Sequence, residues 1–512
     1  MSRALVDRRQ FVIAGFTIAG ASLLGTACSP DEITAVSPAS SIDPLNAASL
    51  DPDLAEPSVI RSVAGRLTAS IVCSTSPCIV GGRHAREPVT YNGTFPGPTL
   101  WVRPGDIVDI TFTNRIVHDQ AETHPGYGRP PRDTHMSNLH YHGMHVSPVG
   151  DADNMMVMVP ALGTYRYLFQ IPIDHSAGIY WYHEHVHGLV TNHVSRGAAG
   201  MIYVANSYTD QLARLGIRHR LMMLQQAYFE SDRSTLISDD SERDDPDLAL
   251  SLINGQLMPD IRMRPGEVQV WSLLNASTSA FYVLRLEGHT FEVVARDGIP
   301  LTVPLLDQET LMLASGTRLE LVVRAGARKG RFILSYDSYD QGVDTWPHKA
   351  IATLIVGGKP VNGSDYPGVD TSAGVVDLAS VIVPDALHRT ITFGQDDSVA
   401  EGEFGRFTIN GHAWDPDYSE WTSLLNTVEE WLIVNETGQD HPFHVHVNPF
   451  QVTKVNGLAV PFSGYQDVAI VPRFGSITVR TRFTDFTGGP ILMHCHILDH
   501  EDMGMMTRFE IE

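Results

Sequence analysis

Residues 493–505 read Met-His-Cys-His-Ile-Leu-Asp-His-Glu-Asp-Met-Gly-Met, and they carry the most specific chemical pattern in the chain. Cys495 lies between two histidines, so in a strand its side chain points away from both imidazoles. His500 and Met505 follow it, and His441 precedes it in a second histidine-rich stretch. One thiolate, two imidazoles and a weak thioether are the ligands of a blue copper electron-transfer centre.

Two further methionines leave the thioether ligand of this centre open. Met503 and Met506 flank Met505 and compete with it for the axial position. We expect Met505 to fill that position.

Histidine pairs of the form His-x-His provide the second pattern. In a strand, residues i and i+2 share a face, so each pair presents two imidazoles to the same side. Eight convergent imidazoles would form a site for several borderline metal ions. The four pairs are His140/His142, His183/His185, His444/His446 and His494/His496.

The segments that hold these pairs correspond to each other. Tyr182-His-Glu-His185 aligns with Met493-His-Cys-His496, which places Glu184 where the later segment has Cys495. Ser137 similarly stands where the later segment has His441. The first part of the chain is therefore expected to keep cluster ligands but to lack the thiolate centre. The middle part has only scattered histidines and is expected to be a spacer without copper.

The chain also repeats a turn-and-strand pattern three times. The copies begin at Asn92-Gly93, Asn254-Gly255 and Asn410-Gly411, and each leads to a strand that ends at an asparagine: Asn114, Asn275 or Asn435. The spacings are those of whole domains. Apolar and polar residues alternate within the copies, which predicts antiparallel sheets with one buried face and hence three β-sandwiches.

The first 60 residues are expected to lie outside the sandwiches. Arg8-Arg9 and an apolar run to Leu24 are typical of an export signal over residues 1–28, similar to a twin-arginine signal. Cys28 resembles a lipoprotein attachment site, although Gly25 stands where a leucine is usual, so lipid attachment and plain cleavage both stay open. Residues 29–60 are rich in Ser, Pro, Asp and Ala and predict a flexible tether. We therefore expect an exported protein, periplasmic or on the cell surface.

Composition restricts the partners. The formal charge of −23 arises from 36 basic and 59 acidic side chains, and such a balance argues against a nucleic-acid partner. Cys73 and Cys78 could form a small disulfide in an oxidising compartment, which the sequence leaves open.

These motifs together resemble the three-domain multicopper oxidases of bacteria: laccases, bilirubin oxidases and copper-efflux oxidases. The resemblance covers residues 60–512 and implies an all-β protein of three consecutive cupredoxin-like Greek-key β-sandwich domains. Their expected ranges are 61–210, 211–375 and 376–512, with copper ligands in the first and third.

The resemblance also implies four copper ions of three types. One type 1 copper would be held by His441, Cys495, His500 and Met505. One type 2 copper would be held by His140 and His444. The type 3 pair would be held by His142, His183, His185, His446, His494 and His496.

Dioxygen reduction requires protons, and carboxylates near the copper are natural carriers. The resemblance implies catalytic roles for Glu501, directly after His500, and for Asp151, eleven residues after His140. Asp153 is the alternative to Asp151 because the loop spacing is open.

The function expected from this resemblance is that of a laccase-like oxidase. It would take single electrons from phenols, aromatic amines or similar small donors through Cys495 and reduce dioxygen to water. The alternatives are a metallo-oxidase acting on cuprous or ferrous ion, and a non-catalytic copper-binding envelope protein. Met155, Met156 and Met158 favour cuprous ion only weakly, and the physiological donor and oligomeric state stay open.

Overall fold

The computed structural model of the protein describes residues 53–117, 135–237, 249–343, 345–361, 366–369, 375–400 and 402–512. These residues all lie in one compact unit that extends from Ser49 to Glu512. The expected export signal and Cys28 lie outside the described residues, as does most of the expected tether. Among the described residues, no helix has the length and apolar character needed to cross a membrane.

The first pair of sheets occupies residues 59–204. One sheet has the strand order β1-β6-β11-β10-β8, the other β5-β2-β7-β9, and β3 and β4 form a separate hairpin. The helices α1 (Val190–Ser195) and α2 (Ser207–Leu215) follow β10 and β11. The strands are β1 (Val59–Arg61), β2 (Arg66–Ser74), β3 (Cys78–Val80), β4 (Arg83–Ala85), β5 (Thr90–Tyr91), β6 (Thr99–Val102), β7 (Ile107–Arg115), β8 (His140–His142), β9 (Thr164–Gln170), β10 (Gly178–His183) and β11 (Ala199–Val204).

The second pair of sheets occupies residues 218–356. Its larger sheet has the order β13-β12-β16-β21-β18-β19 with β14 also on β12, the other has the order β15-β25-β22-β17-β20, and β23 pairs with β24. The strands are β12 (Arg218–Phe229), β13 (Leu236–Ile237), β14 (Ala249–Ile253), β15 (Asp260–Met263), β16 (Val268–Asn275), β17 (Tyr282–Leu286), β18 (Phe291–Arg296), β19 (Ile299–Gln308), β20 (Leu311–Leu313), β21 (Arg318–Arg324), β22 (Gly330–Asp337), β23 (Tyr339–Asp340), β24 (Thr345–Trp346) and β25 (Lys349–Val356).

The third pair of sheets occupies residues 388–511, after two 3-10 helices at Leu378–Ser380 and Asp385–Leu387. Its sheets have the orders β27-β26-β29-β34-β31-β32 and β28-β36-β35-β30-β33. The short helix α3 (Leu498–Asp502) joins the last two strands. The strands are β26 (His388–Gln395), β27 (Phe407–Ile409), β28 (Thr422–Ser423), β29 (Val428–Asn435), β30 (His441–Val445), β31 (Phe450–Val455), β32 (Leu458–Ala459), β33 (Val468–Val471), β34 (Ser476–Arg482), β35 (Pro490–Cys495) and β36 (Met506–Ile511).

The all-β, cupredoxin-like fold class is confirmed, and the alternation predicted for individual strands is observed. In β7, Val108, Ile110 and Phe112 are buried, and they share one hydrophobic core with residues of the facing sheet such as Tyr180 and Tyr182 of β10. Two sheets that bury their inner faces against each other form a sandwich.

The expectation of purely antiparallel sheets is wrong. The first long strand of each sandwich pairs in parallel with the second strand after the Asn-Gly turn: β2 with β7, β12 with β16, and β26 with β29. Period-two burial specifies that one face of a strand is covered, and it does not specify the direction of the neighbouring strand.

The threefold repeat is confirmed at its asparagines. Asn92, Asn254 and Asn410 have positive φ angles of 56°, 53° and 53°, and the side-chain oxygen of each accepts a backbone N–H from the first long strand of its sandwich, at 2.7, 2.8 and 2.8 Å. The asparagines at or near the end of the later strand, Asn114, Asn275 and Asn435, also share one contact. The side-chain oxygen of each accepts the N–H two residues further on, at 2.9, 3.0 and 2.9 Å.

Strand β10 is buried on both faces, and this places its last residue between domains. Tyr180 and Tyr182 lie in the core of the first sandwich, whereas Ile179 and Trp181 pack against Leu221 and other residues of the second. His183 therefore leaves the sheet in a region that is enclosed by protein.

Candidate metal centres

The structure brings Cys495, His441 and His500 together in the third sandwich. The sulfur of Cys495 lies 3.4 Å from Nδ1 of His441 and 3.9 Å from Nδ1 of His500. The three ligand atoms all lie within 4.8 Å of one another, and all three residues are buried. A single ion between them could contact the thiolate and both imidazoles.

Neighbouring side chains fix the two imidazoles of this group. The Thr437 hydroxyl lies 2.6 Å from Nε2 of His441, which leaves Nδ1 for the sulfur side. The ring of Phe407 stacks on His500 with centroids 3.8 Å apart. Burial raises the pKa of the Cys495 thiol, so a cation beside the sulfur is what would favour the thiolate form.

Met505 is fully buried and belongs to the same hydrophobic core as Cys495. Its backbone N–H donates to the His500 carbonyl at 2.8 Å, and its carbonyl accepts from the Cys495 N–H at 3.1 Å. Met506 instead packs on the other face of the strand, against Met155. Met503 packs in the same core as Met505, so the packing distinguishes Met505 from Met506 but not from Met503.

The eight histidines of the four pairs converge between the first and third sandwiches. His140 stacks on His446 with centroids 4.1 Å apart, and His142 stacks on His444 at 3.9 Å. Nδ1 of His142 lies 3.2 Å from Nε2 of His496. Nε2 of His494 lies 3.3 Å from Nε2 of His185 and 3.2 Å from Nε2 of His446.

Each pair lies in a strand or at its end, and this explains the convergence. His140 and His142 are the first and last residues of β8, which pairs with the end of β10, where His183 lies. His444 of β30 pairs with His494 of β35. His446 and His496 directly follow the last residues of β30 and β35, and His185 lies two residues after the end of β10.

The outward ring nitrogens of these histidines meet protein acceptors. Nδ1 of His183 lies 2.8 Å from the Glu184 carbonyl, and Nδ1 of His444 lies 2.8 Å from the Asp467 carbonyl. Nδ1 of His496 lies 3.2 Å from the Ser315 hydroxyl. Since a neutral imidazole carries one N–H, a donated outward N–H leaves a lone pair on the inward nitrogen.

The inward nitrogens fit a cluster of cations. Nε2 of His140, His183 and His444 is buried without a hydrogen-bond partner among the described residues. Burial lowers the pKa of all eight imidazoles, so they are neutral and able to act as ligands. Where such lone pairs face each other at 3.2–3.3 Å, a cation bound between them would offset their repulsion.

Glu501 lies against this cluster. Its carboxylate oxygens lie 3.0 Å from Nδ1 of His494 and 3.5 Å from Nδ1 of His185, and the side chain is fully buried. Burial raises its pKa to about 7. The structure thus places this predicted residue in contact with one imidazole from each outer sandwich.

The expectation for Asp151 is corrected in favour of Asp153. Asp151 is exposed and accepts a hydrogen bond from the Tyr165 hydroxyl at 3.0 Å. Asp153 is buried, and both of its carboxylate oxygens lie 3.1 Å from Nδ1 of His140. A hydrogen bond from the Asp153 N–H to the Ser147 carbonyl turns the loop so that the later aspartate faces inward.

Asp467 is a site residue that the sequence did not reveal. One of its carboxylate oxygens lies 3.3 Å from Nε2 of His142, and its carbonyl lies 2.8 Å from Nδ1 of His444. It therefore orients one imidazole from each outer sandwich. No motif marks Asp467, and the region shows only strand alternation.

The second sandwich contributes to the site without supplying any of the predicted copper ligands. Arg318 is fully buried and donates to the two carboxylate oxygens of Asp467 at 2.5 and 2.6 Å. It also donates to the carbonyls of Ile179 in the first sandwich and of Gly316 and Asp297 in the second. Burial alone would lower the pKa of Arg318, but the Asp467 and Asp297 carboxylates raise it, so the guanidinium stays protonated.

In the first sandwich, the position of the cysteine centre is filled by a hydrogen-bond network. The Ser137 hydroxyl donates to Glu184 at 2.5 Å, and Nδ1 of His193 lies 3.3 Å from the same carboxylate. The backbone N–H of Val186 also donates to Glu184, at 3.0 Å. These contacts match the sequence alignment of Ser137 with His441 and of Glu184 with Cys495.

The cysteines and histidines outside these centres have separate environments. Cys73 and Cys78 are free thiols, and the structure contains no bond between them. Nδ1 of His145 lies 2.9 Å from the Val447 carbonyl, and its Nε2 lies 2.9 Å from Asp485, so it links the first and third sandwiches.

Comparisons with known proteins agree with this geometry. Family models described as "Multicopper oxidase" match residues 73–125 and 132–208, residues 180–360 and residues 384–512. The chain is 26% identical over 429 residues to multicopper oxidase mco of Staphylococcus haemolyticus, and the alignment covers 82% of this chain and 83% of that protein. It is 25% identical over 474 residues to a laccase of Haloferax volcanii, covering 82% and 77%. A solved multicopper oxidase of Campylobacter jejuni, described as a metallo-oxidase, has the same fold with a TM-score of 0.70 and 24% identity, covering 90% and 94%.

Proposed function

Because the chain belongs to the multicopper oxidase family, we propose that it is a laccase-like enzyme that oxidises small aromatic donors and reduces dioxygen to water. The donors are phenols, aromatic amines or similar molecules that lose one electron at a time. The enzyme would hold four copper ions, one of type 1, one of type 2 and two of type 3.

The observation that carries this proposal is the position of Cys495 between the two centres. Its sulfur faces His441 and His500, while its neighbours His494 and His496 belong to the eight-histidine cluster. The peptide chain from Cys495 to His494 on one side and to His496 on the other therefore connects the place of donor oxidation to the place of oxygen reduction. The two half-reactions can then proceed at separate sites.

Copper bound at these residues would supply one-electron transfer at the cysteine centre and four-electron reduction of dioxygen at the histidine cluster. His441, Cys495, His500 and Met505 would hold the first ion. His140 and His444 would hold the type 2 ion. The type 3 pair would be held by His142, His183, His185, His446, His494 and His496.

The carboxylates around the cluster have two proposed roles. Glu501 would hold and deliver protons, because its side chain touches imidazoles of both outer sandwiches and no other described acid lies against the same pair. Asp153 and Asp467 would orient His140 and His142 through the ring nitrogens that face away from the cluster.

A metal ion is the second candidate donor. The fold shared with the Campylobacter jejuni metallo-oxidase supports a metal-ion donor. The methionine-lined cavity beside His185 favours cuprous ion, because thioether sulfur is a soft ligand. A cuprous substrate would use the same cysteine centre, so only the donor would differ.

The experiment begins with the copper content and absorption spectrum of the purified protein. Oxygen uptake is then measured with a phenol, an aromatic amine, cuprous ion and ferrous ion. Uptake driven by the aromatic donors supports the proposal, and uptake driven only by a metal ion selects the second candidate. A protein that binds copper and consumes no oxygen with any donor would refute both.

We further propose that the protein is exported to the periplasm or cell surface. The basic, apolar and small residues of the first 28 positions support this, and Cys28 is the proposed point of lipid attachment. Fractionation of cells expressing the full chain and a Cys28→Ala variant would test both statements. A soluble exported variant and a membrane-bound parent are the expected result.

A further inference from the structure

The turn between strands β29 and β30 carries a hydroxyl that the turn itself does not require. In each sandwich, the asparagine at or near the end of the later strand accepts the N–H of the residue two positions on, which is Ile116, Ser277 or Thr437. Isoleucine in the first sandwich shows that the turn forms without a hydroxyl. The other contacts of the Thr437 hydroxyl therefore indicate what it does.

Thr437 has one contact that its counterpart in the second sandwich lacks. The Thr437 hydroxyl lies 2.6 Å from Nε2 of His441, one of the proposed ligands of the cysteine centre. The Ser277 hydroxyl instead contacts Asn275 at 2.7 Å and Ala280 at 3.1 Å. In the part of the chain that the structure describes, no imidazole is among its hydrogen-bond partners. The same turn position thus reaches a proposed metal ligand in the third sandwich.

The hydrogen bonds of Asn435 determine where the Thr437 hydroxyl hydrogen points. The side-chain oxygen of Asn435 accepts the Thr437 N–H at 2.9 Å. Its amide nitrogen donates to the carbonyls of Gln439 at 2.8 Å and Val471 at 3.1 Å. This pattern places the oxygen, which has no hydrogen to give, on the side of Thr437. The Thr437 hydroxyl lies 2.9 Å from that oxygen and must donate its single hydrogen there.

The direction of that hydrogen determines the tautomer of His441. Because the Thr437 hydrogen is donated to Asn435, the hydroxyl oxygen can meet Nε2 of His441 only as an acceptor. Nε2 must then carry a hydrogen, and in the neutral ring Nδ1 keeps its lone pair. Nδ1 lies 3.4 Å from the Cys495 sulfur, on the side of the proposed ion.

Protein side chains shield this contact from water. His441 is fully buried and Thr437 is 4% exposed. The rings of Phe393 and Phe407 lie beside His441 with centroids 5.7 and 6.2 Å away, and neither carries an oxygen or nitrogen. Without the Thr437 hydroxyl, the Nε2 hydrogen of His441 would be buried without an acceptor.

We propose that Thr437 positions His441 for metal binding and lowers the redox potential of the cysteine centre. An oxygen that accepts the outer N–H of an imidazole makes the ring a more basic ligand. A more basic ligand stabilises cupric copper more than cuprous copper, which lowers the potential. This inference rests on the proposed copper ion at the cysteine centre.

The test is a redox titration of the blue absorption in the copper-loaded parent and in Thr437→Val, which keeps a similar volume and removes the hydroxyl. Loss of an outer hydrogen-bond partner weakens metal binding about 10–100-fold. If binding of the cupric state falls about tenfold relative to the cuprous state, the redox potential rises by about 59 mV. Thr437→Ser restores a hydroxyl at the same place and should reverse most of this rise.

Ser277→Ala is the matched control, because it removes the hydroxyl from the corresponding turn of the second sandwich. It should leave the redox potential unchanged. Urea unfolding of the copper-free proteins adds a measurement that needs no metal. Thr437→Val should unfold at a lower urea concentration than Ser277→Ala, because both variants lose the turn contacts and only Thr437→Val also leaves the buried Nε2 hydrogen without an acceptor.

Three outcomes would overturn the inference. The potential of Thr437→Val could be unchanged or lowered, Ser277→Ala could shift it equally, or Thr437→Ser could fail to reverse the shift. Blue absorption with an unchanged potential would refute the role of Thr437 and leave the proposed function standing. A parent that binds copper without any blue absorption would refute the cysteine centre itself, and the role of Thr437 with it.

Discussion

Replacing Arg318 with methionine should destabilise the protein and disturb the histidine cluster although Arg318 touches none of the proposed ligands. In the structure, the guanidinium makes five hydrogen bonds, two of them to the Asp467 carboxylate. Methionine fills a similar volume but leaves Asp467 and Asp297 buried without their counter-charge. Breaking a buried ion pair in this way costs about 3–5 kcal/mol.

The effect on the site follows from the contacts of Asp467. Its carboxylate and its carbonyl orient His142 and His444, and such outer contacts are worth about 10–100-fold in metal affinity or activity. We therefore expect lower copper occupancy and a comparable loss of oxygen uptake. The blue absorption should persist, because the described contacts of Arg318 do not include Cys495, His441 or His500.

The assay compares urea unfolding of copper-depleted protein with copper content and oxygen uptake after reloading. Arg324 provides the control, since it ends the same strand and pairs with Glu292 at 3.1 Å, with 51% of its side chain exposed. Arg324→Met should change stability by less than about 1 kcal/mol. The reasoning is refuted if Arg318→Met unfolds like Arg324→Met, or if its cluster binds copper as the parent does.

Three other substitutions test separate parts of the structure. Glu501→Gln should slow oxygen consumption about 10²-fold or more while preserving the blue absorption, because an amide cannot deliver a proton; unchanged turnover would remove Glu501 from the mechanism. Met505→Leu should raise the redox potential of the cysteine centre, since an apolar residue replaces the weak thioether, and an unchanged potential in a redox titration would exclude Met505 as the axial ligand. Glu320→Gln tests whether the protonation of Glu320 makes the stability of the fold depend on pH. Burial raises the pKa of Glu320 from 4.5 to about 6. The protonated carboxyl therefore stabilises the fold below pH 4.5, and this contribution is lost as pH rises through 6. The parent should lose about 2 kcal/mol more than the variant between pH 4.5 and 7, and parallel stability profiles would contradict the assignment.

Sequence reasoning identified the proposed ligands because their signals are local. A His-x-His pair presents two rings to one side of an extended segment wherever that segment lies. The repeated asparagines likewise specify turns that each sandwich forms within itself. The parallel pairing of β2 with β7, of β12 with β16 and of β26 with β29 was not predicted, since strand direction depends on which distant segments pair.

The sequence by itself therefore determined the three sandwiches, through a pattern repeated once in each. It also determined the histidine pairs and the Cys495, His500 and Met505 motif, through spacing within short segments, whereas His441 comes from a second segment 54 residues before Cys495. Only the tertiary structure decided between Asp151 and Asp153, because the answer depends on how a loop turns towards His140. It alone revealed Asp467 and Arg318, which are separated in sequence by 149 residues, and the contact of Asp467 with His142 across 325 residues. Hydrogen bonds between such distant residues leave no periodic trace in the chain, because their geometry exists only after the sandwiches have packed together.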